Sequence, residues 1–191
     1  MLNPAGSFQP REYFKPTTIQ EAVELLSRFG NSACPIAGGT DILVEKNPSI
    51  RVLIDVTSLG LMYIAPDEQG ISIGAATPIA EVAASPILQK GPGHILSKAA
   101  KELGTPQIRN MATLGGNLCK PSPAADCAPP LLVLDAQLSA VGLTGKREIP
   151  IYHFFRGVNQ DALHRGEILT EIRLPFLPEL TGAAFLKKGR V

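Results

Sequence analysis

The sequence predicts an α+β fold built from two subdomains. In the first part, an apolar run, a short helical segment and a second apolar run follow one another, an order typical of a parallel βαβ unit. In the second part, pairs of strand-like segments alternate with helical segments, which favours a mainly antiparallel sheet flanked by helices. We place the first subdomain at residues 8–58 and the second at residues 59–178.

The first subdomain contains two predicted helices and two predicted strands. A capping box, Thr18-Ile-Gln-Glu21, opens a run of apolar residues at helical spacing that stops at Gly30. Ala33–Ala37 is a short apolar run that predicts a strand, and Arg51–Val56 predicts the next one. Between them, Ile42–Val44 follows a glycine turn and predicts a helix start, which completes the βαβ unit with a right-handed crossover.

The second subdomain contains five strand-like segments and three helical ones. The strand-like segments are Leu61–Ala65, Ile71–Ala75, Gln137–Val141, Lys146–Pro150 and Ile168–Leu174. The first four predict two hairpins, because a short turn with glycine joins the members of each pair. The predicted helices begin at Pro78, cover Ile95–Leu103 with a stop at Gly104, and cover residues 124–134.

The composition argues against several classes of protein. The chain has 191 residues, 45% of them hydrophobic, and a net charge of +1, so it offers no electrostatic case for nucleic acid or a membrane surface. We expect no membrane span and no secretory signal at Met1–Pro10. Cys34, Cys119 and Cys127 are too few and too scattered for a disulfide framework, which indicates the cytoplasm. They could be metal ligands, but small buried residues are the better interpretation, and we predict no metal site.

Two pairs of adjacent glycines give the strongest indication of function. Pro35-Ile-Ala-Gly-Gly-Thr-Asp-Ile42 and Met111-Ala-Thr-Leu-Gly-Gly-Asn117 each combine adjacent glycines with hydroxyl or amide side chains. Such turns let a ligand approach the backbone and present N–H groups to an anion. Neither is a dinucleotide fingerprint or a Walker A loop, and either alone is also an ordinary turn. Together they predict a pyrophosphate held from two sides, with Asp126 beyond it to bind a hydroxyl.

These motifs resemble a known family. The segments at 35–41 and 112–118, followed by Ser122-Pro123-Ala-Ala-Asp126, are similar to the FAD-binding subunit or domain of the molybdenum hydroxylases, such as xanthine dehydrogenase and aerobic carbon monoxide dehydrogenase. The resemblance covers nearly the whole chain and implies the PCMH-type FAD-binding fold, with FAD in the cleft between the subdomains. Chains of this family continue into a further α+β domain, so we expect residues 179–191 to begin it.

The resemblance also implies which residues contact FAD. One side of the pyrophosphate is expected to meet the backbone N–H groups of Ile36, Ala37, Gly38, Gly39, Thr40, Asp41 and Ile42, helped by the Thr40 side chain, and Pro35 is expected to contact the cofactor beside them. The other side is expected to meet Ala112, Thr113, Gly115, Gly116 and Asn117. Asp126 would bind a cofactor hydroxyl, although it could instead cap a helix. Leu103 and Leu169 would form apolar walls or pack in the core. Phe185 and Lys187 would lie near the flavin, with Lys188 as the alternative lysine.

The implied function is electron transfer. In this family, electrons pass from a molybdopterin-binding large subunit through an iron–sulfur small subunit to FAD, and then to NAD, oxygen or another acceptor. The flavin carries the redox chemistry, so we predict no catalytic side chain. We expect a hetero-oligomer with those two subunits. The alternatives are a flavoenzyme of the same broad fold that acts alone, and an assembly fragment without functional flavin.

Overall fold

The computed structural model describes residues 8–121, 125–176 and 181–188. Residues outside this description are 1–7, the 122–124 part of the family motif, and residues 177–180 and 189–191, which fall on the predicted end of the second subdomain and on the predicted start of the further domain. No helix in the described ranges combines the length and the apolar character that crossing a bilayer requires.

The described strands form three sheets. They are β1 (Glu12–Phe14), β2 (Ala33–Ile36), β3 (Val52–Asp55), β4 (Ile64–Asp67), β5 (Gly70–Gly74), β6 (Gln137–Gly142), β7 (Gly145–Pro150), β8 (Phe155–Gly157), β9 (Gln160–Asp161) and β10 (Ile168–Pro175). The first sheet has the order β1-β3-β2, the second has the order β4-β5-β10-β6-β7, and β8 pairs with β9 alone.

The described α-helices are short, apart from two. They are α1 (Ile19–Phe29), α2 (Ile42–Glu45), α3 (Ile79–Ala84), α4 (His94–Glu102), α5 (Pro106–Met111), α6 (Leu114–Leu118) and α7 (Ala128–Val133). Three short 3₁₀ turns, at Gly30–Ser32, Gly91–Gly93 and Ile151–His153, complete the helical structure of the described residues.

The first sheet confirms the predicted βαβ unit. β2 and β3 are parallel, with Cys34 opposite Leu53, and α2 lies between them in the chain. The helix predicted from the capping box is also present, because Thr18 Oγ1 accepts a hydrogen bond from the N–H of Glu21 at 3.2 Å and Gly30 ends α1. The sequence did not predict β1, which pairs in parallel with β3 on its other side. Three residues are too few to show a periodic pattern.

The second sheet confirms the predicted hairpins. β4 pairs with β5 and β6 pairs with β7, both antiparallel, with short turns between them. The late strand β10 lies in the centre of the sheet, antiparallel to β5 on one side and to β6 on the other. Mixed helices and a mainly antiparallel sheet confirm the α+β class. The residue limits of the two subdomains stay predictions.

Two hydrophobic cores form around these sheets. The smaller one packs α1 against β3 through Ala22, Val23 and Ile54. The larger one packs helices α3, α4 and α7 against the five-stranded sheet, with Leu96, Leu131 and other side chains that are fully buried. Leu61 and Ile168 belong to the smaller core although both lie in the predicted second subdomain, so the two predicted subdomains share apolar contacts.

Three local features differ from the sequence analysis. Residues 106–111, to which the sequence analysis assigns no element, form α5, with Thr105 as its cap and Pro106 in its first turn. The helix expected over residues 124–134 begins only at Ala128. The hairpin of β8 and β9 carried no clear alternation in the sequence and was missed.

Candidate functional site

A cleft of about 750 Å³ joins the two glycine motifs. Every predicted site residue from Pro35 to Ile42 lines it. The other predicted residues that line it are Leu103, Ala112, Thr113, Gly115, Gly116, Asn117, Asp126 and Leu169. Phe185 and Lys187 lie outside the lining. The cleft has the size that small-molecule and cofactor sites usually have.

The two motifs touch each other directly. A Cβ atom built on Gly38 would lie 1.7 Å from the carbonyl oxygen of Met111 and 3.0 Å from the backbone nitrogen of Ala112. No side chain larger than a hydrogen fits at position 38 without moving that backbone. The motifs are therefore neighbours in space, as the hypothesis of a pyrophosphate held from two sides requires.

The first motif presents a run of free backbone donors. The N–H groups from Gly38 to Ile42 donate to no other described residue, whereas those of Leu43, Val44 and Glu45 donate to the carbonyls of Gly39 and Asp41 in the loop. Thr40 adds a hydroxyl, which donates only a long 3.4 Å hydrogen bond to Asp41. Consecutive free N–H groups at a cleft wall form a concavity that suits an anion such as phosphate.

The second motif differs from the prediction. Gly115 N donates to the Ala75 carbonyl at 2.8 Å, Gly116 N donates to Thr113 Oγ1 at 3.1 Å, and Asn117 N donates to the Thr113 carbonyl at 3.0 Å. The motif is a short helix capped by Thr113, not an open turn. The expectation that this pair offers free N–H groups is wrong, because all three donors are already used within the protein.

Side chains of the second motif still point to a ligand. Asn117 Oδ1 is buried and has no hydrogen-bond partner among the described residues. A buried polar atom without a partner costs free energy, so such atoms usually meet a ligand or a water. Gly115 is required for a different reason, since its Cβ would lie 2.7 Å from the Ala75 side chain. It lets α6 pack against the end of β5.

Asp126 and Lys187 form an ion pair at one end of the cleft. Lys187 Nζ donates to Asp126 Oδ2 at 2.8 Å and to the Glu102 carbonyl at 3.0 Å. The helix-cap interpretation of Asp126 is wrong, because α7 begins at Ala128 with Cys127 in the cap position. Phe185 packs, half-buried, against the larger core. The segment that carries Phe185 and Lys187 is thus fastened beside the cleft.

Leu103 and Leu169 border the cleft as expected, and they also belong to the core. Both are buried members of the larger hydrophobic cluster. Arg109 donates to the carbonyls of Leu103 and Gly104 at 3.0 Å each. It fixes the end of α4 that carries Leu103.

Sequence reasoning missed several cleft residues. Glu167 lines the cleft, and Arg147 donates to both of its carboxylate oxygens at 2.7 Å, which holds the pKa of Glu167 below its ordinary value. Burial raises the pKa of Asp161, another carboxylate in the lining. Cys34 and Cys119 also line the cleft, and burial raises the pKa of both thiols, so they are neutral at pH 7. No single sequence motif connects these residues.

An ion pair across the cleft was also missed. Lys120 Nζ contacts Glu45 Oε1, and both residues line the cleft, Glu45 shortly after the first motif and Lys120 shortly after the second. The two residues lie far apart in the sequence, and only the fold shows that they meet.

Comparison with known proteins agrees with this geometry. A family described as "FAD binding domain in molybdopterin dehydrogenase" matches residues 6–177. The nicotinate dehydrogenase FAD-subunit of Eubacterium barkeri is 35% identical over 189 residues, which cover 94% of this chain and 63% of that protein. The carbon monoxide dehydrogenase medium chain of Hydrogenophaga pseudoflava is 32% identical, with 94% and 63% covered. This chain therefore spans about 63% of the length of these curated relatives.

Solved structures confirm the fold. Carbon monoxide dehydrogenase from Hydrogenophaga pseudoflava superposes with a TM-score of 0.89 at 32% identity, covering 100% of this chain and 66% of that chain. Quinoline 2-oxidoreductase from Pseudomonas putida 86 superposes with a TM-score of 0.79 at 26% identity, covering 92% and 60%.

The residues present fit the cofactor of this family. FAD carries a diphosphate and several hydroxyl groups. The free N–H groups from Gly38 to Ile42 suit the diphosphate, and the unpartnered Asn117 Oδ1, which is an acceptor, suits a hydroxyl group. The match over residues 6–177 covers most of the chain. The chain belongs to the family of FAD-binding domains found in molybdopterin dehydrogenases.

Proposed function

We propose that this chain is the FAD-binding, electron-transferring part of a molybdenum-containing hydroxylase or dehydrogenase, and hence part of an oxidoreductase. One observation carries the proposal: both glycine motifs of an FAD-binding family line the same cleft, and the first motif offers a run of free N–H groups there. When bound, FAD supplies the redox chemistry, because a flavin accepts and donates electrons.

The chain's own residues bind and orient the cofactor. The N–H groups from Gly38 to Ile42 hold the diphosphate, with the Thr113 and Asn117 side chains opposite. Asp126 accepts from a cofactor hydroxyl. Apolar surfaces at Leu103 and Leu169 pack against the rings, and Phe185 and Lys187 stand at the flavin end.

The partners follow from the same proposal. We infer that electrons arrive from an iron–sulfur small subunit, which receives them from a molybdopterin-binding large subunit, and leave to NAD, oxygen or another acceptor. The names of relatives support a multi-subunit assembly: one is the 6-hydroxypseudooxynicotine dehydrogenase complex subunit alpha of Paenarthrobacter nicotinovorans, 35% identical with 91% of this chain and 60% of that protein covered. The proposed location is the cytoplasm.

Titration with FAD tests the proposal. The chain should take up one FAD with a flavin absorbance spectrum. The double variant Gly39→Val and Gly116→Val should lose FAD binding, because it fills the cleft wall at both motifs. Gly60→Val and Gly182→Val together are the matched control, since Gly60 has φ of 71° like the 70° of Gly39, and a Cβ at either control site meets nothing within 4 Å.

Two outcomes would reject the proposal. A folded wild-type chain that takes up no FAD would favour the assembly-fragment alternative. Equal FAD binding by the cleft variant and the control variant would reject the assignment of the site. For electron transfer, the FAD-loaded chain should be reduced by a reduced iron–sulfur subunit and not by an organic substrate alone.

A further inference from the structure

The charges along the cleft are unbalanced. The acidic residues in the described lining are Asp41, Glu45, Asp126, Asp161 and Glu167, whereas Lys120 is the basic one. A dinucleotide would bring a diphosphate with two negative charges into this acidic surrounding. Neutral N–H groups offset part of that repulsion, but a phosphate near carboxylates gains most from a cation.

Lys120 is placed to supply that cation. It follows α6 directly after the capping residue Cys119, so it stands on the side of the cleft whose N–H groups from Gly115 to Asn117 are already used. Its side chain is partly exposed, at 29%, and contacts Glu45 at the end of α2. The α2 helix follows the first glycine motif, so the pair spans the two walls that would face the diphosphate.

Two other cationic side chains near the cleft, those of Lys187 and Arg147, already bind acceptors within the protein. Lys187 is held by Asp126 and the Glu102 carbonyl, and Arg147 is held by Glu167 and the Ala162 carbonyl. Lys187 is balanced by the Asp126 carboxylate, and Arg147 is balanced by Glu167, which also accepts from the His164 N–H. The Glu45 side chain is 44% exposed, so water can solvate it when Lys120 leaves. A partly exposed ion pair of this kind contributes little free energy, and its lysine can change partner at low cost.

We propose that Lys120 is a diphosphate-binding residue, which contacts Glu45 in the free protein and turns to the diphosphate of the bound dinucleotide. This rests on the proposed function. Lysine binds phosphate as a compact point charge on a flexible stem, and a hydrogen bond to a charged group is among the stronger kinds. Glu45 then acts as a competing partner that keeps Lys120 at the cleft before the ligand arrives.

Two variants separate this role from a purely structural ion pair. Lys120→Met keeps the length of the side chain and removes its charge, and it should weaken FAD binding about ten-fold or more. Glu45→Gln frees Lys120 and removes a nearby negative charge, and it should bind FAD as tightly as the wild type or more tightly. Riboflavin lacks the diphosphate, so its affinity should be the same in Lys120→Met and in the wild type.

The salt dependence of wild-type binding gives an independent measurement. FAD affinity should fall as salt is raised, and Lys120→Met should reduce that slope while Lys120→Arg keeps it. If Lys120→Met and Glu45→Gln weaken FAD binding equally, the ion pair between the two residues has only a structural role, and the proposal is overturned. Unchanged FAD affinity in Lys120→Met would also overturn it. Failure of the wild type to bind FAD would instead reject the proposed function itself.

Discussion

Replacing Gly38 by alanine should push the two glycine motifs apart. The new Cβ would lie 1.7 Å from the Met111 carbonyl oxygen and 2.3 Å from its carbonyl carbon. Both atoms are backbone, so no side-chain rotation can relieve the contact. Because Cβ atoms do not approach other atoms closer than 3.0 Å, the walls must separate by at least 3.0 − 1.7 = 1.3 Å.

This displacement is large for a site that holds one ligand between two walls. In catalysis, a misplacement of about 1 Å can lower the rate on the order of a hundred-fold, and a ligand held between two walls depends on their spacing in the same way. We therefore expect FAD affinity to fall by a factor of about 10 to 100. Overpacking of this kind also costs roughly 1–3 kcal/mol of stability, so the folded fraction must be measured alongside.

FAD titration followed by flavin fluorescence is the assay, with urea denaturation to confirm the fold. Gly93→Ala is the matched control, because Gly93 is buried, more so than the half-buried Gly38, but its Cβ would meet atoms of Leu88 only at ordinary distances of 3.4 Å and beyond. The control should bind FAD like the wild type. If Gly38→Ala binds FAD as tightly as the control does, the contact between the motifs does not set the geometry of the site.

Three further predictions concern stability and the flavin end of the cleft. Glu167→Gln should lower the free energy of unfolding at pH 7 by about 2 kcal/mol, measured by urea denaturation. Pairing with Arg147 lowers the pKa of Glu167 from 4.5. The wild type should therefore have the higher free energy of unfolding above pH 4.5, and this difference from Glu167→Gln should vanish as the pH falls through the lower pKa of the folded state. A difference in the free energy of unfolding that stays constant down to pH 2 would contradict this. Lys187→Met should weaken FAD binding several-fold, because the proposed function puts Lys187 at the flavin end of the cleft. The stability should change by less than about 1 kcal/mol, because the ion pair with Asp126 is partly exposed. Unchanged FAD affinity would place Lys187 outside the site. Thr18→Ala should lower stability by about 1 kcal/mol through loss of the α1 cap and leave FAD affinity unchanged, and a change in affinity would show that α1 is coupled to the cleft.

Elements with strong local signals were predictable from the sequence. The capping box at Thr18 defines the start of α1, and the hairpin of β6 and β7 follows from two apolar runs around a glycine turn. A signal for α5 was also present in Thr105-Pro106, a cap residue followed by proline, and it was overlooked. Strand β1 has only three residues and depends on pairing with β3, so no local pattern could define it.

The sequence was sufficient to predict where the site lies, but not which of its backbone N–H groups are free. The two glycine motifs indicated the cleft, but whether their N–H groups are free depends on tertiary contacts. Thr113 turned the second motif into a capped helix, and a threonine three residues before Gly116 was a signal for that. The acceptor for the N–H of Gly115 is Ala75, which no local pattern reveals. The contact between Lys120 and Glu45 depends on the fold in the same way.

Nuclear magnetic resonance of the FAD-bound chain tests the central claim most directly. Scalar couplings between amide protons and phosphorus report hydrogen bonds from N–H groups to phosphate. We expect such couplings within the run from Gly38 to Ile42 and none from Gly115, Gly116 or Asn117, whose N–H groups donate within the protein. Couplings from the second motif, or FAD bound with none from the first, would contradict it.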